Sequence, residues 1–270
     1  MKITFNKYQG AGNDFIIIDN RDGRINPTDD KLIRWMCDRR FGIGADGVIL
    51  ISDTEDFSYK MTYFNADGFE GTMCGNGGRC TAAFAISSGI ATPDHNFNAI
   101  DAPHRAIAEN GLIKLRMNDV QGTELIGGNY FINTGSPHYV VFEKDVASFD
   151  VFNEGKKLRW APEFAPGGTN VNFAEVRTND IFVRTFERGV EDETLSCGTG
   201  VTASAIAAVL SGHFDSIPVN VHTRGGDLSV SFTRDGNRLT DIWLTGPATH
   251  VFTGSIDKDK IVMQQAESVS

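Results

Sequence analysis

Two cysteines head two segments that read alike. The first is Cys74-Gly-Asn-Gly-Gly-Arg-Cys-Thr-Ala-Ala-Phe-Ala-Ile-Ser-Ser-Gly89; the second is Cys197-Gly-Thr-Gly-Val-Thr-Ala-Ser-Ala-Ile-Ala-Ala-Val-Leu-Ser-Gly212. Each is Cys-Gly-x-Gly, an Ala-rich apolar stretch, and a Ser-Gly stop of the kind that ends helices. A cysteine at a helix start faces N–H groups with no partner inside the helix, and the dipole adds positive potential there. The glycines let a substrate come close to the backbone. Such a terminus binds a carboxylate and favours thiolate over thiol. The dipole is worth about 0.3–1 kcal/mol, up to ~2 when partly buried, and one pKa unit is about 1.4 kcal/mol, so helix position alone shifts a thiol by roughly one unit. A further neighbour must act on it, and His138 (in Thr134-Gly-Ser-Pro-His138) and Glu187 are the candidates. One such cysteine alone reads more readily as packing. Two of them suggest inversion of a stereocentre, which needs a base on one face of a carbon and an acid on the other. One sulfur would be thiolate and the other thiol, exchanging roles with direction. The helix starts would grip the α-carboxylate and stabilise charge developing at the α-carbon.

The elements that must position these cysteines also repeat. The two sulfurs stand roughly half a chain length apart in 270 residues, and each motif follows a strand-like run and a Gly-containing loop. Strand-like runs occupy 15–19, 47–51, 59–64, 112–117, 139–142, 181–186, 228–232 and 242–244, bounded by Gly, Asn, Asp and Pro, and the N-terminus alternates like a first strand. Apolar spacing predicts a helix over 31–38. The two Ala-rich helices carry little charge, so each is expected to be buried on all sides, as inside a curved sheet. The reading is an internal duplication giving two related α/β domains.

Composition narrows the function. Lys and Arg number 25 against 35 Asp and Glu, a net charge of −10, which argues against nucleic acid as the main partner. No apolar run is long enough to span a membrane and no signal peptide is visible, so a cytoplasmic protein is expected. The four cysteines include no Cys-x-x-Cys pair and are expected to be free thiols. The six histidines show no metal-binding spacing, and no metal is expected. Gly10-Ala-Gly-Asn-Asp-Phe15 lacks the third glycine of a dinucleotide fingerprint. The segments Asn65-Ala-Asp-Gly-Phe69 and Thr169-Asn-Val-Asn-Phe173 read as polar loops offering amides to a zwitterion, though Asn and Gly suit plain turns as well. Positions 187–193 read as a solvated acidic loop, and Cys37 and Cys80 as packing.

Taken together, these motifs resemble the diaminopimelate epimerase family over essentially the whole chain. The resemblance rests on Gly12-Asn-Asp-Phe15, Gly42-Ile-Gly-Ala-Asp46, Asn65-Ala-Asp-Gly68 with Cys74-Gly-Asn-Gly-Gly-Arg79, Ser136-Pro-His138, Asn170-Val-Asn-Phe173, Glu187-Arg-Gly189 and Cys197-Gly-Thr-Gly200, in family order. It implies an α/β fold of the α+β type: two pseudo-symmetric domains, each a mixed sheet around a central helix, with the active site between them. Residues 1–118 plus about 253–270 would form the first domain and 119–252 the second. It implies conversion of LL- to meso-diaminopimelate, in lysine and peptidoglycan-precursor synthesis, without pyridoxal phosphate, metal or other cofactor. Cys74 and Cys197 would be the acid/base pair and His138 and Glu187 would orient the thiols. Asn13, Asn65, Gly75, Asn76, Asn170, Glu187, Arg188, Gly198 and Thr199 would bind substrate. A homodimer that closes over a small zwitterionic amino acid is implied, with neither nucleic acid nor membrane as partner.

The chain departs from the family pattern at Gly47 (Gln in many members), Ser136 (often Asn), Phe69 (commonly Ser) and a longer turn at Val190-Glu-Asp-Glu193. Three other readings stay open on the residues alone: a proline- or hydroxyproline-type racemase on the same fold, a thiol redox protein using Cys74 and Cys197, and a non-catalytic amino-acid-binding module.

Overall fold

The computed structural model describes residues 2–215 and 217–257. The first half contributes β1 (Lys2–Gly10), β2 (Asn13–Asp19), helix α1 (Asp30–Cys37), β3 (Gly47–Ser52), β4 (Lys60–Asn65), helix α2 (Gly75–Ser87), β5 (Asp94–Asn98), β6 (Pro103–Glu109) and β7 (Leu112–Arg116). The second contributes β8 (Thr123–Ile126), β9 (Asn129–Asn133), β10 (Pro137–Phe142), helix α3 (Val151–Arg159), β11 (Asn170–Val176), β12 (Asp180–Glu187), β13 (Asp192–Thr194), helix α4 (Gly198–Leu210), β14 (Val219–Thr223), β15 (Gly226–Asp235) and β16 (Arg238–Gly246). A last strand, β17 (Thr249–Asp257), returns to the first half.

The duplication is written in the strand pairings. From β1 to β7, neighbours pair antiparallel, parallel, antiparallel, parallel, antiparallel and antiparallel. From β9 to β16, with the short hairpin strand β13 set aside, the same series recurs. The outermost strand of each half is supplied differently. In the second half, β8 precedes β9 and pairs with it; in the first, β17 arrives from the far end of the chain to pair with β1. The expected first-domain tail beyond Asp257 lies outside the described residues. Antiparallel pairing of β7 with β16 joins the two halves.

Each half wraps its sheet around one helix. α2 touches β1, β2, β4, β6, β7 and β17, and α4 touches β9, β10, β11, β12, β14 and β15. Small side chains make this possible: Ala82, Ala85, Ala203, Ala205, Ala207 and Ala208 are buried, so strands approach the helix axis from all sides. α1 and α3 instead cover the outer faces, each with an Asp cap: Asp29 accepts from Leu32 N–H and Asp150 from Asn153 N–H. None of the described helices is long and apolar enough to cross a membrane.

All eight strand-like runs are strands, and the helix expected at 31–38 is α1. Two segments differ from their sequence reading. Thr169-Asn-Val-Asn-Phe173, expected as a polar loop, runs into β11, an inner strand with Asn170 to Ala174 buried. The alternation Asn-Val-Asn-Phe has the period of a strand, and its amides are polar because they face partners inside the protein. Positions 187–193 are not uniformly solvated. Glu187 ends β12 half-buried, and Glu193 on β13 pairs with Arg184 at 2.6 Å and Arg224 at 3.0 Å.

Candidate active site

Cys74 and Cys197 are the N-cap residues of α2 and α4. The Cys74 sulfur accepts the Gly77 N–H at 3.5 Å. The two helix starts meet head to head. A Cβ added at Gly198 would stand 3.3 Å from Gly75 Cα, one at Gly75 would stand 3.6 Å from Gly198 Cα, and each would touch Leu244 at 3.0 Å. The first glycine of each Cys-Gly-x-Gly therefore lets the two termini touch, which brings the residue before each, a cysteine, to one place. The second glycine of the α4 motif makes room for a side chain, since a Cβ on Gly200 would collide with the Asn172 amide. Glycine at these positions thus serves contact within the protein as well as access for a substrate.

Asn76 ties the halves together. Its amide donates to the Ser196 carbonyl at 3.0 Å, across from the other cysteine, and to Asn13 Oδ1 at 3.4 Å. Asn13 Oδ1 also stands 3.6 Å from the Cys74 sulfur. Asn13 is itself held by Asp46, whose carboxylate accepts from its amide at 2.5 Å and from the Asp14 N–H at 3.1 Å. Arg39 spans Asp14 and Asp46, and the buried Lys7 pairs with Asp14 at 2.7 Å. These two cations hold the Asp14 carboxyl down from 3.8 to about 2 against its burial. The two glycine-rich segments near the N-terminus are thus a charge cluster that fixes one amide beside one sulfur.

Behind Cys197 runs a directed chain of hydrogen bonds. Asn172 Nδ2 lies 3.3 Å from the Tyr139 carbonyl, which can only accept, and its Oδ1 accepts the Thr185 hydroxyl at 2.9 Å. The same Nδ2 therefore donates to His138 Nδ1 at 3.1 Å, which assigns the imidazole proton to Nε2. Nε2–H donates to Thr199 Oγ1 at 2.8 Å, leaving the threonine proton for the Cys197 sulfur at 3.4 Å. His138 reaches the thiol through Thr199 and not directly. It is fully buried, and burial pushes its pKa from 6.5 down to about 3, so it is neutral at physiological pH. Replacing Asn172 by Asp should reverse this chain. The carboxylate only accepts, so the imidazole proton would move to Nδ1 and Thr199 would donate to the ring instead of the sulfur. Turnover is expected to fall about 10–100-fold in a folded protein, with imidazole nitrogen NMR reporting the changed tautomer; unchanged turnover with a changed tautomer would remove this chain from the chemistry.

The electrostatics correct one sequence expectation, that the helix starts lower both thiols. Burial instead raises Cys74 from 9.0 to about 11, with the Gly77 N–H offsetting only part of it and the Glu187 carboxyl adding to it. Burial and Glu187 raise Cys197 further. The physical reason is magnitude: desolvation of a buried group shifts a pKa by up to ~3–5 units, against roughly one for the dipole. Glu187 is raised by burial as well, partly offset by the hydroxyl of Thr194, which donates to it at 2.9 Å. It acts on both thiols through its charge.

The remaining expected site residues fall at different depths. Gly75, Asn76 and Gly198 are buried at the junction, and Thr199 is half-buried beside it. Asn170 is buried, accepts the Arg188 N–H at 2.8 Å, and donates to Ser136 Oγ and the Pro137 carbonyl, both at 2.8 Å. Asn65 and Arg188 are exposed. Asp46, Thr134 (which donates to the Thr199 carbonyl at 2.9 Å) and Ser196 are not named as site residues by sequence reasoning, and Asn172, in a segment expected to offer its amides to a substrate, turns its amide to His138, Tyr139 and Thr185 instead. Only Asn172 has a readable signal, sitting two residues after Asn170 on the same strand face. Ser196 Oγ is buried beside Cys197 with no hydrogen-bond partner among the described residues. Tyr63 is a further such residue. A Cβ added at Gly47 would stand 2.5 Å from its ring, so the tyrosine fills the space left by the missing side chain and faces Cys74 and Glu187.

Comparison with known proteins gives a consistent picture. The sequence model of the family described as diaminopimelate epimerase matches residues 5–121 and 130–251. A diaminopimelate epimerase of Flavobacterium psychrophilum is 48% identical over 93% of this chain and 98% of its own length. One of Chlorobaculum tepidum is 43% identical, covering 92% and 98%. Among solved structures, a phenazine biosynthesis protein of Bacillus anthracis superposes with a TM-score of 0.77 at 16% identity, covering 95% of this chain and 99% of its own. A probable proline racemase from Agrobacterium radiobacter superposes with a TM-score of 0.69 at 15% identity, covering 95% and 93%. These two share the fold.

Proposed function

The chain belongs to the diaminopimelate epimerase family, and from that membership we propose that it inverts one α-carbon of diaminopimelate, LL to meso, between the sulfurs of Cys74 and Cys197. The observation that carries the reading is the contact of Gly75 with Gly198, which brings two N-cap cysteines from opposite halves together. One sulfur, as thiolate, removes the α-proton from one face; the other, as thiol, returns a proton to the opposite face. The N–H groups of the first turns of α2 and α4 face the α-carboxylate and the charge that develops next to it. Both thiols are protonated in the free protein, so substrate binding must be accompanied by loss of one proton. Glu187, raised by burial and acting on both sulfurs, is the group placed to accept it. A thiolate held away from water is a stronger base toward carbon than one in solution, so the burial that suppresses ionisation at rest also strengthens the base once formed. Asn13 and Asn76 orient the substrate near Cys74, Asn170 does so near the opposite half, and the exposed Asn65 and Arg188 meet the polar distal end.

Incubation of the reduced protein with LL-diaminopimelate in D₂O is expected to place deuterium at one α-carbon as the meso isomer accumulates. Proline treated in parallel should remain unlabelled. Absence of label in diaminopimelate, or faster labelling of proline, would overturn the reading.

A further inference from the structure

The two halves repeat their strands and helices, but one charge inside them does not repeat. Position for position, Cys74-Gly-Asn-Gly-Gly-Arg79 aligns with Cys197-Gly-Thr-Gly-Val-Thr202. Arg79 and Thr202 make the same local hydrogen bond, each to the carbonyl four residues back: Arg79 Nη1 donates to Gly75 O at 3.3 Å and Thr202 Oγ1 to Gly198 O at 2.9 Å. One of the two carries a full positive charge and the other is neutral.

Arg79 is fully buried, and among the described residues no carboxylate lies within ion-pair distance of it. Its other partners are also neutral: Nη2 donates to Asn76 Oδ1 at 2.8 Å, and Nε to the Pro247 carbonyl at 3.5 Å. Space is kept for it. A Cβ on Gly246 would stand 3.2 Å from its Nε. An unpaired guanidinium in the interior is costly, and an apolar side chain would pack there more cheaply. The ionisable groups whose charge acts on it are Cys80 and Cys74. Both oxygens that hold its terminal nitrogens belong to the two residues directly after Cys74.

We infer that Arg79 is a positioning residue for the reaction: its charge favours the thiolate of Cys74 over that of Cys197, and its grip on Asn76 holds the helix start that presents Cys74. The inference rests on the two-thiol reading of the site. The other ionisable groups whose charge acts with that of Cys74 are Glu187 from β12, Tyr63 from β4, Cys80 on α2 and Cys197 across the junction; all are acids, and none carries positive charge. Cys197 has Glu187 and Cys74 as charged or ionisable neighbours and the neutral Thr199–His138 chain behind it. The pair is therefore asymmetric before substrate arrives, and Cys74 is the sulfur that ionises more readily, whichever isomer then selects the base.

The test reads ionisation at each sulfur and not turnover. The reduced protein is treated with iodoacetamide across a pH series and alkylation of each cysteine is followed by mass spectrometry. The sulfur–carbon bond forms only from the thiolate, and iodide leaves. In the unmodified protein the alkylation midpoint of Cys74 should lie at lower pH than that of Cys197; equal midpoints or the reverse order would overturn the inference with no variant needed. In Arg79→Met, checked for folding by circular dichroism, alkylation of Cys74 at pH 8 should slow about tenfold, the change expected for one pKa unit, while Cys197 stays within twofold. Arg79→Lys should keep the Cys74 midpoint close to that of the unmodified protein. Equal slowing at both cysteines, no slowing at Cys74, or a Lys variant that behaves like Met would each refute it. Because epimerisation is not the readout, such a result leaves the two-thiol mechanism standing.

Discussion

Cys74→Ser and Cys197→Ser should each lower epimerisation of LL-diaminopimelate by about a hundredfold or more, within the range that general acid–base catalysis contributes. The substitution keeps size and polarity, so the junction of α2 and α4 should survive; what changes is acidity. A buried thiol already sits high, with Cys74 near 11, and a serine hydroxyl in the same place would hardly ionise at all. Loss of one sulfur should also divide the reaction by face. A variant with one working sulfur can still exchange the α-proton on that sulfur's side, so slow deuterium exchange into one stereoisomer should outlast net inversion. The measurement is rate of inversion and rate of label incorporation, run separately on the LL and meso isomers. Turnover by either variant within a few-fold of the unmodified protein would rule out the two-thiol mechanism and leave a binding role for the helix starts.

The second large effect is oxidative. Gly75 and Gly198 are in contact, which gathers the adjacent Cys74 and Cys197 at one junction; a disulfide needs their Cα atoms about 4.4–6.8 Å apart, and the expectation is that the two can reach that separation. Treatment with diamide should oxidise the two thiols to one disulfide, their two electrons and two protons passing to the azo nitrogens of the reagent. Activity should fall by more than a hundredfold and return with dithiothreitol, since neither linked sulfur can carry a proton. Peptide mapping should find Cys74 joined to Cys197. Cys37, at the end of α1 and facing the core, and Cys80, against Gly10, are both buried with thiols pushed up to about 12, so they should remain reduced. Full activity with the cross-link in place, or inactivation without it, would contradict the prediction. This oxidation separates the epimerase reading from the redox reading: in the first the disulfide is a dead form, in the second it is the working one.

Much of the fold is legible in the sequence because its signals are local. The eight apolar runs announce strands through composition and turn residues, and the Ala-rich segments announce helices too uncharged to lie at a surface. Strands without an apolar run escape such a reading. One is β5 with its Asp-His-Asn-Phe-Asn sequence, whose stability comes from neighbours on either side. β11 reads as a loop for a related reason. Its asparagines look solvent-facing until Ser136, Pro137, His138 and Arg188 are seen to surround them.

The sequence by itself determined that two cysteines head two equivalent helices, and that glycine follows each. It could not state how far apart they stand, because that distance depends on pairings such as β7 with β16 between residues more than a hundred positions apart. Tertiary structure decided the rest. It turned the glycines into a contact between helix starts and routed His138 to Cys197 through Thr199. It also raised the thiols where the isolated helix would lower them. That reversal has a simple cause: the dipole is a property of the helix alone, whereas desolvation is a property of everything packed around it, and in a junction closed from both sides the second effect is several times larger.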